Sequence, residues 1–101
     1  MKRRKLGPGE IESALAEIGG WTLREGQLHR ELRFDGFVDA FGFMSSMALV
    51  SEALNHHPAW HNVYNRLVID LSTHDAGGIT ELDLEWARRA NKLLAFAAPG
   101  R

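Results

Sequence analysis

The hydrophobic pattern switches twice between a helical period and a strand period. After Gly7-Pro8-Gly9, Ile11, Leu15 and Ile18 recur at i, i+4 and i+7 with Glu10, Glu12 and Glu17 elsewhere, which predicts an amphipathic helix. Gly19-Gly20 closes it, since glycine readily takes the left-handed conformation at a helix C-terminus. Trp21-Thr22-Leu23, a turn at Glu25-Gly26, and Leu28 to Phe34 then predict a β-hairpin. Leu28, Leu32 and Phe34 share one face, but Arg30 interrupts it, so only part of that face is expected to be covered. Asp35-Gly36 precedes a long helix over residues 36–55, about five turns without a proline. Phe37, Phe41, Met44 and Ala48 step by four, three and four, flanked by Val38, Met47 and Leu54, and are read as its core stripe. Pro58 ends any helix near Asn55, because proline pushes the preceding residue out of helical geometry.

A second hairpin fits Trp60 to Thr73, with a turn at Asn65-Arg66 and Leu67, Ile69 and Leu71 alternating with Asp70 and Ser72. Asp75-Ala76-Gly77-Gly78 is a loop. Thr80-Glu81-Leu82-Asp83 matches a helix capping box, and Leu82, Trp86, Ala90, Leu93 and Ala97 form the stripe of a final helix. Arg88, Arg89 and Lys92 take its outer side. The order α-β-β-α-β-β-α predicts a single α+β domain: a four-stranded antiparallel sheet with helices packed on one face.

Composition narrows the possibilities. A chain of 101 residues suits one domain, and 45% hydrophobic with 25% charged residues is the globular balance, not that of a disordered chain. The absence of cysteine excludes disulfides, zinc–thiolate sites, iron–sulfur clusters and thiol nucleophiles. No uninterrupted apolar run approaches 18 residues and the basic start leads into no apolar stretch, so neither a membrane span nor a signal peptide is expected. A cytoplasmic location follows as an expectation. Net charge is −1, yet Lys2, Arg3, Arg4 and Lys5 hold four of the twelve basic residues. The rest of the chain is acidic, which speaks against nucleic-acid binding. Residues 1–7 are expected to be a mobile basic arm, dispensable for activity, and residues 8–101 the folded domain. One sheet face cannot cover all the apolar surface of a helix carrying Met44, Met47 and several phenylalanines. A homo-oligomer is expected, paired through this helix or a sheet edge.

The compositional anomaly is histidine: four of five lie between residues 56 and 74. His57 and His74 are equidistant from the expected hairpin turn, so His56, His57 and His74 should meet at the open end of the hairpin. His57 and His61 have the spacing of a helical metal pair, but Pro58 and strand geometry break it, and carboxylates nearby are few. No metal site is expected. A serine hydrolase is disfavoured, since no Gly-x-Ser-x-Gly turn exists. Proton transfer suits the cluster better, because imidazole donates and accepts near neutral pH. Trp60 is either a wall for a flat ligand or a packed core aromatic. Asp83 is a cap, a site acid, or both. Glu52, one helical turn before His56, either orients it or is a solvated charge. His61 is expected at the surface.

These residues resemble the pterin-4a-carbinolamine dehydratase family. Its signature is an acid, three residues, His-His-Pro, five residues, an aromatic, nine residues, His, then about eight residues to Asp. Glu52, His56-His57-Pro58, Tyr64, His74 and Asp83 match every interval, and Phe41-Gly42-Phe43-Met44 is similar as well. The resemblance covers roughly residues 20–95 and agrees with the α-β-β-α-β-β-α order. It implies a hydro-lyase that removes water from 4a-hydroxytetrahydropterin, giving the quinonoid dihydropterin and recycling the pterin of an aromatic amino acid hydroxylase. No cofactor is implied. By this resemblance His56, His57 and His74 are the catalytic residues: His56 and His74 act on opposite faces of the ring, and His57 orients it or shares the proton. Glu52, Pro58, Trp60 and Asp83 then complete the substrate site. The family also implies a homodimer or homotetramer and a second reading: a non-catalytic, coactivator-type binding module of the same fold. No nucleic acid or membrane partner is implied.

Overall fold

The computed structural model describes residues 3–96. Three helices, α1 (Pro8–Ile18), α2 (Phe37–Leu54) and α3 (Glu81–Phe96), and four strands, β1 (Thr22–Arg24), β2 (Gln27–Arg33), β3 (Ala59–Val63) and β4 (Arg66–Leu71), follow the order expected from the pattern. The sheet runs β1-β2-β4-β3 with every pair antiparallel. Leu28, Leu67, Ile69 and Leu71 bury one face under the helices, against Phe43 and Met47 of α2 and Trp86, Ala87 and Ala90 of α3. Trp86 lies at the centre, fully buried, with Trp21 and Trp60 each edge-on to it at 6.1 Å. Its indole N–H donates to Ser51 Oγ at 2.9 Å, so the polar end of the ring is satisfied inside the core.

Arg30 does face the helices, paired with Ile69 across the β2–β4 ladder. Its guanidinium donates to Asn91 Oδ1 at 2.6 Å and stands over the Trp21 ring at 5.8 Å, while burial lowers its pKa. Asn91 also accepts from the Trp21 indole and donates to the Ile18 and Gly19 carbonyls, so one amide closes α1 and shelters the arginine. Gly20 permits this approach: it has a φ of +85°, and a Cβ there would lie 2.5 Å from Arg30 Nη1.

Four expectations need correction. The core stripe of α2 is Ala40, Phe43, Met47 and Ser51, whereas Phe37 and Phe41 are 46% and 54% exposed and Ala48 lies outside. Apolar residues surround this helix, so spacing alone could not choose its inner face; the bond from the Trp86 indole selects the side carrying small Ser51. Second, α2 is long and apolar enough to cross a membrane by length and composition, with a mean hydropathy of 1.3 over 18 residues. Interspersed serines and glycine hide this from a search for an unbroken run. Its inner face nonetheless packs as a layer of the domain. Third, the β3–β4 turn is Tyr64-Asn65, one residue earlier than expected, with Val63 opposite Arg66. Asn65 fixes it by exchanging bonds with Phe34, and Asn62 Nδ2 holds the Tyr64 and Arg66 carbonyls.

The last correction concerns the basic arm. Leu6 is buried, and its N–H donates to the Ile79 carbonyl at 2.8 Å, so residues 3–7 lie against the body. Ala97, expected to end the α3 stripe, and Met1 and Lys2 fall outside the described residues. Arg4 grips both oxygens of Glu10 at 3.1 and 2.9 Å, and the Gly7 N–H donates to Glu10 at 2.8 Å, reaching across the first turn of α1. The Arg4 bond first, then the Gly7 bond, holds the Glu10 carboxyl down to about 2 from an ordinary 4.5. A depressed carboxyl contributes stability that is complete above its unfolded pKa and is lost as pH falls through the folded one. The Glu10 contribution should therefore vanish between about pH 4.5 and 2. In an NMR titration the Glu10 carboxyl carbon should have its midpoint near 2, rising toward the ordinary value in Arg4→Ala. An unchanged midpoint would show that Gly7 alone holds it.

Candidate active site

Two chain reversals carry the histidine cluster. α2 ends with Asn55 in the left-handed region (φ 52°, ψ 47°), where a short polar side chain is tolerated better than most. The Asn55 N–H donates to the Glu52 carbonyl at 3.2 Å and the His56 N–H to the Ser51 carbonyl at 2.9 Å, the paired bonds of a Schellman motif. This turn sends His56 inward immediately after the helix, and trans Pro58 leads on into β3. On the other side, β4 runs out at Leu71, and Thr73 and Gly78 bridge a tight loop between them. Its 3₁₀ turn, His74–Ala76, places His74 at the exposed tip, and Gly77 supplies the positive φ of 73° that closes it.

Asp83 joins the two. It is fully buried at the start of α3, and its carboxylate accepts three hydrogen bonds. Oδ1 receives His56 Nε2 at 2.5 Å, while Oδ2 receives the Thr73 hydroxyl at 2.8 Å and the Thr80 N–H at 2.9 Å. Thr73 spends its one proton on Asp83, so in its 2.7 Å contact with Thr80 the Thr80 hydroxyl must donate. The Leu82 N–H completes the set by donating to Thr80 Oγ1 at 3.2 Å. Asp83 is thus both the helix cap and the partner of His56. Its acceptor role puts the proton of His56 on Nε2. The other ring nitrogen, Nδ1, has no hydrogen-bond partner among the described residues, and His56 as a whole is only 6% exposed.

The remaining residues sort differently from expectation. Glu52 binds His57, not His56: His57 Nε2 donates to Glu52 Oε1 at 2.7 Å, and both side chains are exposed. The turn shift means that His57 and His74 are not opposite each other in the ladder; side-chain bonds through Asp83, not strand register, link their loops. Trp60 lies half-buried on the covered face against Trp86, which is the packing reading. His61 is exposed on the opposite face of the sheet, alternating with Trp60. Thr73 was not anticipated. It continues the inward series Leu67, Ile69, Leu71, and a polar residue at an inward position was the signal for it.

This arrangement can hold one imidazole by a buried carboxylate and present two more from adjoining turns. The chain matches the family described as pterin 4 alpha carbinolamine dehydratase over residues 4–93. It belongs to that family. The match begins in the basic segment, well before the residues that carry the resemblance in sequence. A protein of Solibacter usitatus named "Putative pterin-4-alpha-carbinolamine dehydratase" is 57% identical over 91 residues, covering 90% of this chain and 96% of that one. A protein of the same name from Rhizobium johnstonii is 45% identical over 97 residues, covering 94% and 96%. Among solved structures, that of a transcriptional coactivator/pterin dehydratase from Brucella melitensis superposes with a TM-score of 0.86 at 41% identity, over 89% of this chain and 98% of that chain. The pterin dehydratase relatives thus share the whole domain, the α+β fold included.

Removing the Asp83 carboxylate would strip the cap from α3 and leave His56 and Thr73 facing an empty position. Loss of a cap costs about 1 kcal/mol, and a buried group left unsatisfied about 1–3 kcal/mol. Asp83→Ala is expected to lower stability by about 2–4 kcal/mol in urea unfolding. A loss well below about 1 kcal/mol would mean that the three donors find other partners.

Proposed function

We propose that this chain is a hydro-lyase that converts a 4a-hydroxytetrahydropterin into water and the quinonoid dihydropterin. Membership of the family and the names of its relatives support the activity; the carboxylate-held His56 is the observation that carries the mechanism. The reaction needs a proton for the departing hydroxyl and an acceptor for the proton on the ring nitrogen beside C4a. The nitrogen lone pair forms the new C=N bond as the C4a–O bond breaks, so the single reactant divides into water and product with no net oxidation or reduction. His56 and His74 serve as the acid–base pair. Asp83 orients His56 by accepting its Nε2 proton, and His74 works from an exposed turn. His57, steadied by Glu52, orients the pterin, and Pro58 fixes the backbone between them and β3. Trp60 contributes through its packing on Trp86. Recycling of the pterin of an aromatic amino acid hydroxylase is the biological setting that fits this product.

The outer face of α2 supports an oligomer. Phe37 and Phe41 stack at 5.4 Å, and Val38 and Leu49 are 84% and 74% exposed, an apolar patch of the kind that marks an interface. A homodimer or homotetramer formed through this face would cover it. The same face, together with the description of the Brucella protein as a transcriptional coactivator, supports a second reading in which the chain serves as a protein-binding module. That reading tolerates loss of the histidines; the dehydratase reading does not.

His74 offers the cleaner test, because it is exposed and its truncation leaves the Asp83 network intact. His74→Ala should lower turnover by roughly 10–10³-fold, within the range ascribed to acid–base groups, at an unchanged melting temperature. His56→Ala should lower turnover comparably and also the melting temperature, since Asp83 loses a partner. The double variant should lose less than the product of the two effects. A stable pterin analogue should bind His74→Ala nearly as well as the parent. A normal dehydration rate in His74→Ala would remove it from the mechanism. In sedimentation, the protein should run as a multimer of 11.3 kDa chains at micromolar concentration, and a single monomeric species would overturn the interface assignment.

A further inference from the structure

We propose that Arg3 is a positioning residue of this site, tying the turn that carries His74 to the turn that leads into His56 and His57; the proposal rests on the dehydratase reading. Arg3 Nη2 donates to the Asn55 carbonyl at 3.4 Å, and Nη1 lies 3.9 Å from Asp75 Oδ2. Asn55 immediately precedes His56, and Asp75 immediately follows His74. The buried bridge from His56 through Asp83 to Thr73 joins the same two turns from within, so Arg3 is its exposed counterpart. The segment that delivers Arg3 is itself anchored. Leu6 is buried and bonds to Ile79, Arg4 is held by Glu10, and the Lys5 stem lies along Gly78, where an added Cβ would come within 2.9 Å of Lys5 Cε. Residues 3–6 therefore run as a strap along the loop between Thr73 and Ile79, with the guanidinium at its end.

A planar guanidinium suits this task, because it offers separate N–H groups to a carbonyl and a carboxylate at once. The chemistry at C4a depends on the placement of His74 relative to His56, and small errors in placement are costly. Arg3 touches neither imidazole in the structure, so it acts through the two turns.

The test uses the full chain with Arg3→Ala, Arg3→Lys, Asp75→Asn and the Arg3→Ala/Asp75→Asn pair. Arg3→Ala should lower kcat about 2- to 5-fold, the range an exposed ion pair sustains, with KM for the 4a-hydroxypterin and the melting temperature unchanged. Arg3→Lys should recover part of the loss, and the pair should lose no more than the larger single effect. Amide hydrogen exchange of Ala76, Gly77 and Gly78 should quicken in Arg3→Ala while the core strands keep their protection. Unchanged exchange in that loop would overturn the proposal, as would faster exchange with an unaltered kcat. A parent protein with no dehydration activity would instead overturn the dehydratase reading and the catalytic part of this one, leaving the exchange measurement to decide whether the strap exists.

Discussion

The Asp83 carboxylate is the point at which three separate elements are held in register. It caps α3, receives the hydroxyl of Thr73, two residues past β4, and receives the imidazole of His56, two residues past α2. A carboxylate with no exposed surface is costly to bury, and only a full set of donors makes the burial tolerable. Those donors come from positions 56, 73 and 80, so the solvation of one side chain requires that the ends of the helix, the strand and the loop all arrive together. The same requirement fixes His56 in place just beyond the end of α2. Folding and chemistry thus share one set of hydrogen bonds.

Around this point the packing is organised by tryptophan. Trp86 lies one turn beyond Asp83 on α3 and is covered by Trp21 from the first hairpin, Trp60 from the second and Ser51 from α2. Ser51 also sits beneath the helix terminus that launches His56, donating its hydroxyl to the Met47 carbonyl while accepting the indole N–H. The position of the site is therefore referred to the middle of the core and not to the surface loops alone.

Much of this was legible in the chain. Element order followed from period and punctuation, and the Thr80 to Asp83 capping pattern singled out Asp83 as a cap, a site acid, or both. What escaped had physical reasons. The inner face of α2 could not be chosen because its apolar residues run all round it, and only the contact with Trp86 selects a side. The hairpin turn moved by one residue because Asn62 and Asn65 bond to backbone groups that only tertiary structure brings near. Spacing leaves Glu52 between orienting His56 and a solvated charge, and does not foresee its bond to His57, because the left-handed Asn55 reverses the chain after α2. The basic segment was read as loose since it lacks periodicity, yet a single buried leucine and one backbone bond suffice to dock it.

The hydroxyls of Thr73 and Thr80 have one consistent arrangement of protons. Leu82 donates to Thr80, Thr80 to Thr73, and Thr73 to Asp83, so neither hydroxyl can turn without orphaning a buried partner. A network with a single proton order carries no orientational disorder of its own. Its dipoles are already aligned toward the carboxylate before any ligand arrives. In water a carboxylate is solvated by a shell that reorients freely. Here the shell is built from side chains that have nowhere to turn.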